Sequence, residues 1–151
     1  DYQLDPDKIA VAGGSAGGHL AAALGTIGSD GAVPAGYRPN LSVLYYPVID
    51  MVSRGYGFPE IERDFEKISP IHHVSKATPS TLILLGTKDP IVSVKAVESY
   101  RDKLLQNGVD CELHLFEGAG HPIFLYRKLL TDDYYKIRKL TDNFLRRYGF
   151  L

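Results

Sequence analysis

Residues 8–17, Lys-Ile-Ala-Val-Ala-Gly-Gly-Ser-Ala-Gly, decide how this chain is read. Lys8–Gly13 has the length and apolar content of a short strand, introduced by a turn that contains Pro6. Ala16–Ile27 is rich in Ala and Leu and reads as a helix that breaks at Gly28. Between them, Gly13-Gly14-Ser15-Ala16-Gly17 fits G-x-S-x-G in the setting that pattern requires, with a strand before it and a helix after it. A serine on so sharp a turn has a strained backbone and lifts its hydroxyl above the C-terminal edge of a sheet. Gly13 and Gly17 are expected to keep side chains out of the close approach. The amide of Ala16, first in the helix, is expected to point to the same spot, where the helix dipole favours negative charge. A phosphate-binding turn competes with this reading. However, Gly13 and Gly17 do not fit G-x-G-x-x-G, and no Lys-Ser/Thr pair of a P-loop follows them.

Working outward, three more strand-like runs alternate with helical patterns: Leu41–Val48, Thr81–Thr87 and Cys111–Glu117. The first three of the four runs are nearly continuous in apolar residues, as expected of strands covered on both faces. Ser93–Asn107 places Ala96, Val97, Tyr100 and Leu104 on one stripe, with Gly108 positioned as its C-terminal cap. A last helix from about Thr131 to Tyr148 repeats Tyr134, Ile137, Thr141, Phe144 and Tyr148 at three-four spacing. Strand alternating with helix predicts right-handed crossovers, hence an α/β fold of about four parallel strands with flanking helices. The interval 49–80 has no strong period; a short helix is expected around Glu60–Glu66, and the stretch is a candidate to line or cover a site.

An activated serine needs a base, and the base needs an acid to orient it. Asp89 directly follows the third strand, in Gly86-Thr87-Lys88-Asp89-Pro90, and His121 follows the fourth, in Gly118-Ala119-Gly120-His121-Pro122. Gly118 and Gly120 would let that loop fold His121 back over Ser15. Asp50, ending the second run, is an alternative acid. His19 is expected to pack or hydrogen-bond behind the turn, His72 and His73 to be exposed or line a pocket, and His114 to be structural. Ser42 and Ser93 have no comparable turn around them, and Cys111 reads as a small core residue. Gly14, Asp50 and Ile91 are candidate substrate contacts.

Composition narrows the classes. The 151 residues are 44% hydrophobic and 23% charged, which is globular, and a net charge of −1 with signs interspersed argues against a nucleic-acid partner. No apolar run reaches the length of a membrane span, and one cysteine forms neither an internal disulfide nor a Cys/His metal site. Neither a metal nor a cofactor is expected. The sequence begins at Asp1 without a signal-peptide pattern, so a compartment is not readable from it.

Taken together, residues 13–20 (Gly-Gly-Ser-Ala-Gly-Gly-His-Leu), 45–50 (Tyr-Tyr-Pro-Val-Ile-Asp), 69–74 (Ser-Pro-Ile-His-His-Val), 86–92 (Gly-Thr-Lys-Asp-Pro-Ile-Val) and 118–121 (Gly-Ala-Gly-His) resemble a branch of the α/β-hydrolases. It is the acetyl-xylan-esterase and feruloyl-esterase-like branch, near the hormone-sensitive-lipase-like esterases. The resemblance implies Ser15 as nucleophile, Asp89 as acid, His121 as base and the Ala16 amide as an oxyanion donor, in cofactor-free hydrolysis of short acyl esters, sugar acetates among them. It also implies that residues 1–151 are a partial domain, the C-terminal half of the fold. The nucleophile strand is normally the fifth of eight, and no His-Gly-Gly-Gly-like oxyanion loop occurs here. The missing half, or a self-associated copy, is then expected to complete the site and cover the first strand. Three rival readings share features of this pattern. A prolyl-oligopeptidase-type peptidase usually carries a bulky residue after its serine, which Ala16 is not; an arylformamidase and a non-catalytic remnant are the others.

Overall fold

A computed structural model describes residues 5–27, 34–51, 64–123 and 132–151. Its frame is a four-stranded parallel sheet in the order β1-β2-β3-β4: β1 (Ala10–Gly14), β2 (Leu41–Tyr45), β3 (Ser80–Gly86) and β4 (Cys111–Phe116). The register pairs Gly14 with Tyr45, Tyr45 with Leu84, and Gly86 with Phe116, so β1 and β2 end level and β3 and β4 run two residues further. Among the described residues, four helices accompany the sheet: α1 (Ala16–Thr26), the single turn α2 (Phe65–Ile68), α3 (Val94–Gln106) and α4 (Asp132–Arg147). Three-residue 3₁₀ turns lie at Ala35–Tyr37 and Pro70–His72.

The predicted alternation holds, with most strand and helix ends moved by one or two residues. β2 departs further, stopping at Tyr45 instead of Val48. Tyr46 takes a positive φ of 38°, and Pro47 behind it has no N–H to offer a ladder. The short helix expected at 60–66 forms at Phe65–Ile68; residues 60–63 lie outside the described residues.

Burial follows from strand position. β2 and β3 are central, and Leu41, Val43, Leu44 and Leu82–Leu85 are almost fully buried. The α3 stripe supplies Val97, Tyr100 and Leu104 to the core, and α4 supplies Ile137 and Phe144. β1 departs from the expectation of strands covered on both faces: Ala10 and Ala12 are exposed and Val11 is half-buried, and among the described residues β1 has a strand neighbour on one side only. Both long C-terminal helix ends close in the same way. Gly108 at φ 75° and Gly149 at φ 74° accept the left-handed conformation, and the next amides, Val109 and Phe150, bond back to Leu104 and Leu145.

Candidate active site

The turn between β1 and α1 holds Ser15 at φ 56° and ψ −121°, a conformation that costs a non-glycine residue on the order of 1–3 kcal/mol. Hydrogen bonds fix it on both sides: the Ser15 amide donates to Tyr45 O at 3.0 Å, and its carbonyl accepts from His19 N–H at 3.0 Å. Sterics then single out glycines, not quite the pair expected. A Cβ on Gly13 would lie 2.1 Å from Gly17 O, and one on Gly18 would lie 2.9 Å from Pro47. A Cβ on Gly17 would meet nothing within 4 Å, so the expectation that Gly17 clears the close approach is corrected: its backbone is what Gly13 must avoid.

Ser15 stands at the N-cap of α1, where a serine ordinarily accepts a hydrogen bond from the first turn. It makes no such bond. Its Oγ instead lies 2.9 Å from His121 Nε2. His121 Nδ1 lies 2.7 Å from Asp89 Oδ2. Because a carboxylate accepts only, Nδ1 carries the proton, which leaves the Nε2 lone pair to accept from the serine O–H. The Asp89 side chain is fully enclosed, and its other oxygen accepts the amides of Ile91 at 2.8 Å and Val92 at 2.9 Å. The turn after β3 therefore aims Asp89 with two backbone hydrogen bonds, and His121 makes the third.

The loops after β3 and β4 are laced together. Lys88 N–H donates to Ala119 O at 2.9 Å, Gly118 N–H to the Thr87 hydroxyl at 2.8 Å, and Thr87 N–H to Phe116 O at 3.0 Å. Gly118 takes φ 73°, and a Cβ on Gly86 would sit 2.3 Å from Ala119 O. That approach brings the His121 loop across the sheet edge to Ser15, 106 residues away in sequence.

The remaining candidates fall into place around this centre. Asp50 makes no hydrogen bond to His121; its Oδ1 is buried without a partner, so the histidine is oriented by Asp89. Ile91 contributes its backbone to Asp89 while its side chain is largely exposed. Gly14 has a steric reason that the sequence did not disclose: a Cβ there would come within 2.8 Å of the Tyr46 hydroxyl. His19 bonds Val48 O through Nδ1 at 2.8 Å, behind the turn as expected. His114 pairs with Glu112 at 3.2 Å, His72 is exposed, and His73 Nε2 lies 3.0 Å from Glu66 O. Cys111 is largely enclosed, and burial pushes its thiol up to about 12, the state of a packed side chain and not of a nucleophile. Among the described residues, no group of three or more His, Cys, Asp or Glu could hold a metal ion, and no helix is long and apolar enough to cross a membrane.

Sequence reading missed three features. Tyr46, buried and strained, packs its ring edge-on against His121 with centroids 4.7 Å apart. A cavity of about 190 Å³ beside the turn is lined by Ala16, His19, Leu20, Val48 and Met51. A second cavity, of about 250 Å³, lies between Tyr45 and α4 on the opposite side of β2, where the Tyr45 hydroxyl meets Thr141 at 3.0 Å.

A parallel sheet with a serine on the β1–α1 turn, Asp after β3 and His after β4 has the architecture of an α/β-hydrolase. Residues 1–148 match the prolyl oligopeptidase family, and the chain belongs to that family. Ala16 therefore does not set it apart from the family. The acetylxylan esterase of Xylanibacter ruminicola is 27% identical over 87% of this chain and 30% of its own length. The acylamino-acid-releasing enzyme of Arabidopsis thaliana is 33% identical over 79% of this chain and 18% of its own. Among solved structures, the apo form of esterase 2 from Thermogutta terrifontis superposes with a TM-score of 0.85 at 32% identity, over 98% of this chain and 58% of that one. The same esterase with propionate bound gives 0.81. The chain thus spans less than a third of each of these two sequence relatives and somewhat over half of the structural neighbour.

Proposed function

We propose that this chain carries the acyl-transfer centre of a serine carboxylesterase that hydrolyses short acyl esters. The observation that carries the reading is His121 bridging Ser15 Oγ at 2.9 Å and Asp89 Oδ2 at 2.7 Å. His121 Nε2 takes the serine proton as Oγ attacks the ester carbonyl, and Asp89 stabilises the imidazolium that forms. With the Ser15 side chain engaged by His121, the first amides of α1 have no side-chain cap, and Ala16 N–H is the donor next to the developing oxyanion. His121 then protonates the departing alcohol. Water, deprotonated by the same imidazole, releases the acid from the acyl-enzyme.

The cavity that begins at Ala16 supports a short acyl group: about 190 Å³ between Leu20, Val48 and Met51 suits a few methylenes. The esterase relatives agree in class, and the acetylxylan esterase makes acetylated sugars a substrate class to try. Further oxyanion donors and a covering for β1 are supplied, in this account, by another segment of the protein or by a second copy. One lost oxyanion donor costs on the order of 10²–10³ in rate.

A second reading is cleavage of an N-acyl amide, which the acylamino-acid-releasing relative favours. The full-length protein tests both, with p-nitrophenyl acetate, butyrate and octanoate beside an N-acetyl-amino-acid anilide and N-formylkynurenine. The proposal expects acetate and butyrate esters to exceed octanoate by about tenfold or more in kcat/KM, with Ser15→Ala inactive on all. An anilide or formylkynurenine preferred over every ester would contradict it.

A further inference from the structure

We propose that Tyr46 is a positioning residue for His121: its ring holds the imidazole plane in line between Ser15 and Asp89. This rests on the esterase reading above. Two hydrogen bonds, Nδ1–H donating to Asp89 Oδ2 and Nε2 accepting from the Ser15 hydroxyl, fix His121 along a single axis. A ring held at two such points can still tilt about the line joining them, and a tilt spoils the Nε2 lone-pair direction. Tyr46 supplies the third point, off that axis. Its ring lies 4.7 Å from the imidazole centroid at an interplanar angle of 74°, an edge-to-face packing that a tilted imidazole would lose.

The surrounding frame holds that tyrosine in place. Among the described residues, the non-glycine positions with positive φ are Ser15 at 56° and Tyr46 at 38°, both in this site. Strain of this kind persists where neighbours over-determine it. Here the Tyr46 amide is tied to Leu84 O at 2.7 Å, and Pro47 is nested against Gly18 so closely that a Cβ there would lie 2.9 Å away. Gly14 leaves room for the phenol; a side chain at that position would meet the hydroxyl. Tyr46 is 8% exposed, and its ring helps to keep water from the imidazole, whose side chain is 10% exposed. Burial and the nearby Asp89 both raise the phenol above its ordinary pKa, so the ring stays uncharged wherever the base operates.

The test compares Tyr46→Phe with Tyr46→Leu and Tyr46→Met in the full-length protein, reading kcat and KM separately on p-nitrophenyl butyrate. The second readout is the downfield proton resonance of the His121 Nδ1–H bond to Asp89, and cooperative unfolding is checked for each variant. Tyr46→Phe keeps the ring and should stay within about threefold of the parent in kcat. Loss of the ring should lower kcat by about tenfold or more with KM little changed, and should broaden or remove the downfield resonance. Should either aliphatic variant fail to fold, the other is read.

Parent-like kcat in a folded Tyr46→Leu or Tyr46→Met would overturn the proposal, as would a Tyr46→Phe variant as impaired as the aliphatic ones. Ser15→Ala run alongside separates the two levels. An active Ser15→Ala variant sinks the esterase reading itself, whereas an inactive one beside a fully active Tyr46→Leu sinks only the role of Tyr46.

Discussion

Asp89 and Asp50 both lie in segments that follow strands, and their surroundings separate them. Asp89 is enclosed and uses both oxygens, with His121, Ile91 and Val92 as partners, whereas Asp50 leaves a buried oxygen unpaired. Asp89→Asn should therefore lower kcat by on the order of 10⁴ with the fold retained, because the amide offers Nδ1 a donor and selects the wrong tautomer. Asp50→Asn should leave kcat within a few-fold of the parent; esterase kinetics on both variants check the pair. Ser15, Asp89 and His121 were legible in the sequence because each has a short glycine- or proline-marked turn after a strand-like run. Tyr46 was not, because its meaning lies in a positive φ and a ring contact 75 residues away, and neither leaves a local pattern. Cys111 belongs at this scale too. With its pKa raised by burial to about 12, the native thiol is almost wholly protonated at pH 8, so it should resist a disulfide reagent until the chain is unfolded in urea.

At the scale of elements, the strand-to-helix turn is held by a backbone crossing that tolerates no atom at Gly13. Gly13→Ala should destabilise the protein by about 1–3 kcal/mol or more, since the clash is with backbone that has no rotamer to change. Gly17→Ala should be close to neutral in the same urea unfolding experiment, because open space surrounds that position and α1 gains a better helix former. The G-x-S-x-G pattern makes both glycines look alike, and only the packed turn distinguishes them. Strand and helix identities were readable from apolar runs and three-four stripes. The early end of β2 was not, because Tyr45 and Tyr46 look equally strand-like until the chain turns at Tyr46-Pro47. β2 also carries Ser42, whose buried hydroxyl has no partner. Ser42→Ala removes that unsatisfied group and is expected to raise stability by up to about 1 kcal/mol.

Across the molecule, apolar burial is centred on β2 and β3, and β1 is the sparsely covered side. Leu20 and Leu24 of α1 are exposed at 68% and 46%, and Ile9 before β1 at 46%, beside an edge whose outward amides meet no strand among the described residues. Ser15 N–H bonds Tyr45 O and Ile9 O accepts from Asn40, so by alternation Val11 and Gly13 face β2 while Ala10, Ala12 and Gly14 face outward. If another segment or a second copy adds a strand there, as proposed, hydrogen exchange in the full-length protein should be slow at consecutive amides from Ala10 to Gly14. Fast exchange at every second amide would contradict that completion. The alternation of elements conveyed four parallel strands but not their order, and the uncovered β1 was expected only through the resemblance to a partial domain, because composition alone does not say which neighbours a strand has.

The claim that joins these scales is that Ser15 is a nucleophile activated by His121. Treating the native full-length protein with a fluorophosphonate and locating the adduct by mass spectrometry tests it most directly. The account predicts one adduct, on Ser15, absent in Ser15→Ala and at least about a hundredfold slower to form in His121→Ala. Labelling that persists in Ser15→Ala, or that proceeds at the parent rate without His121, would contradict it.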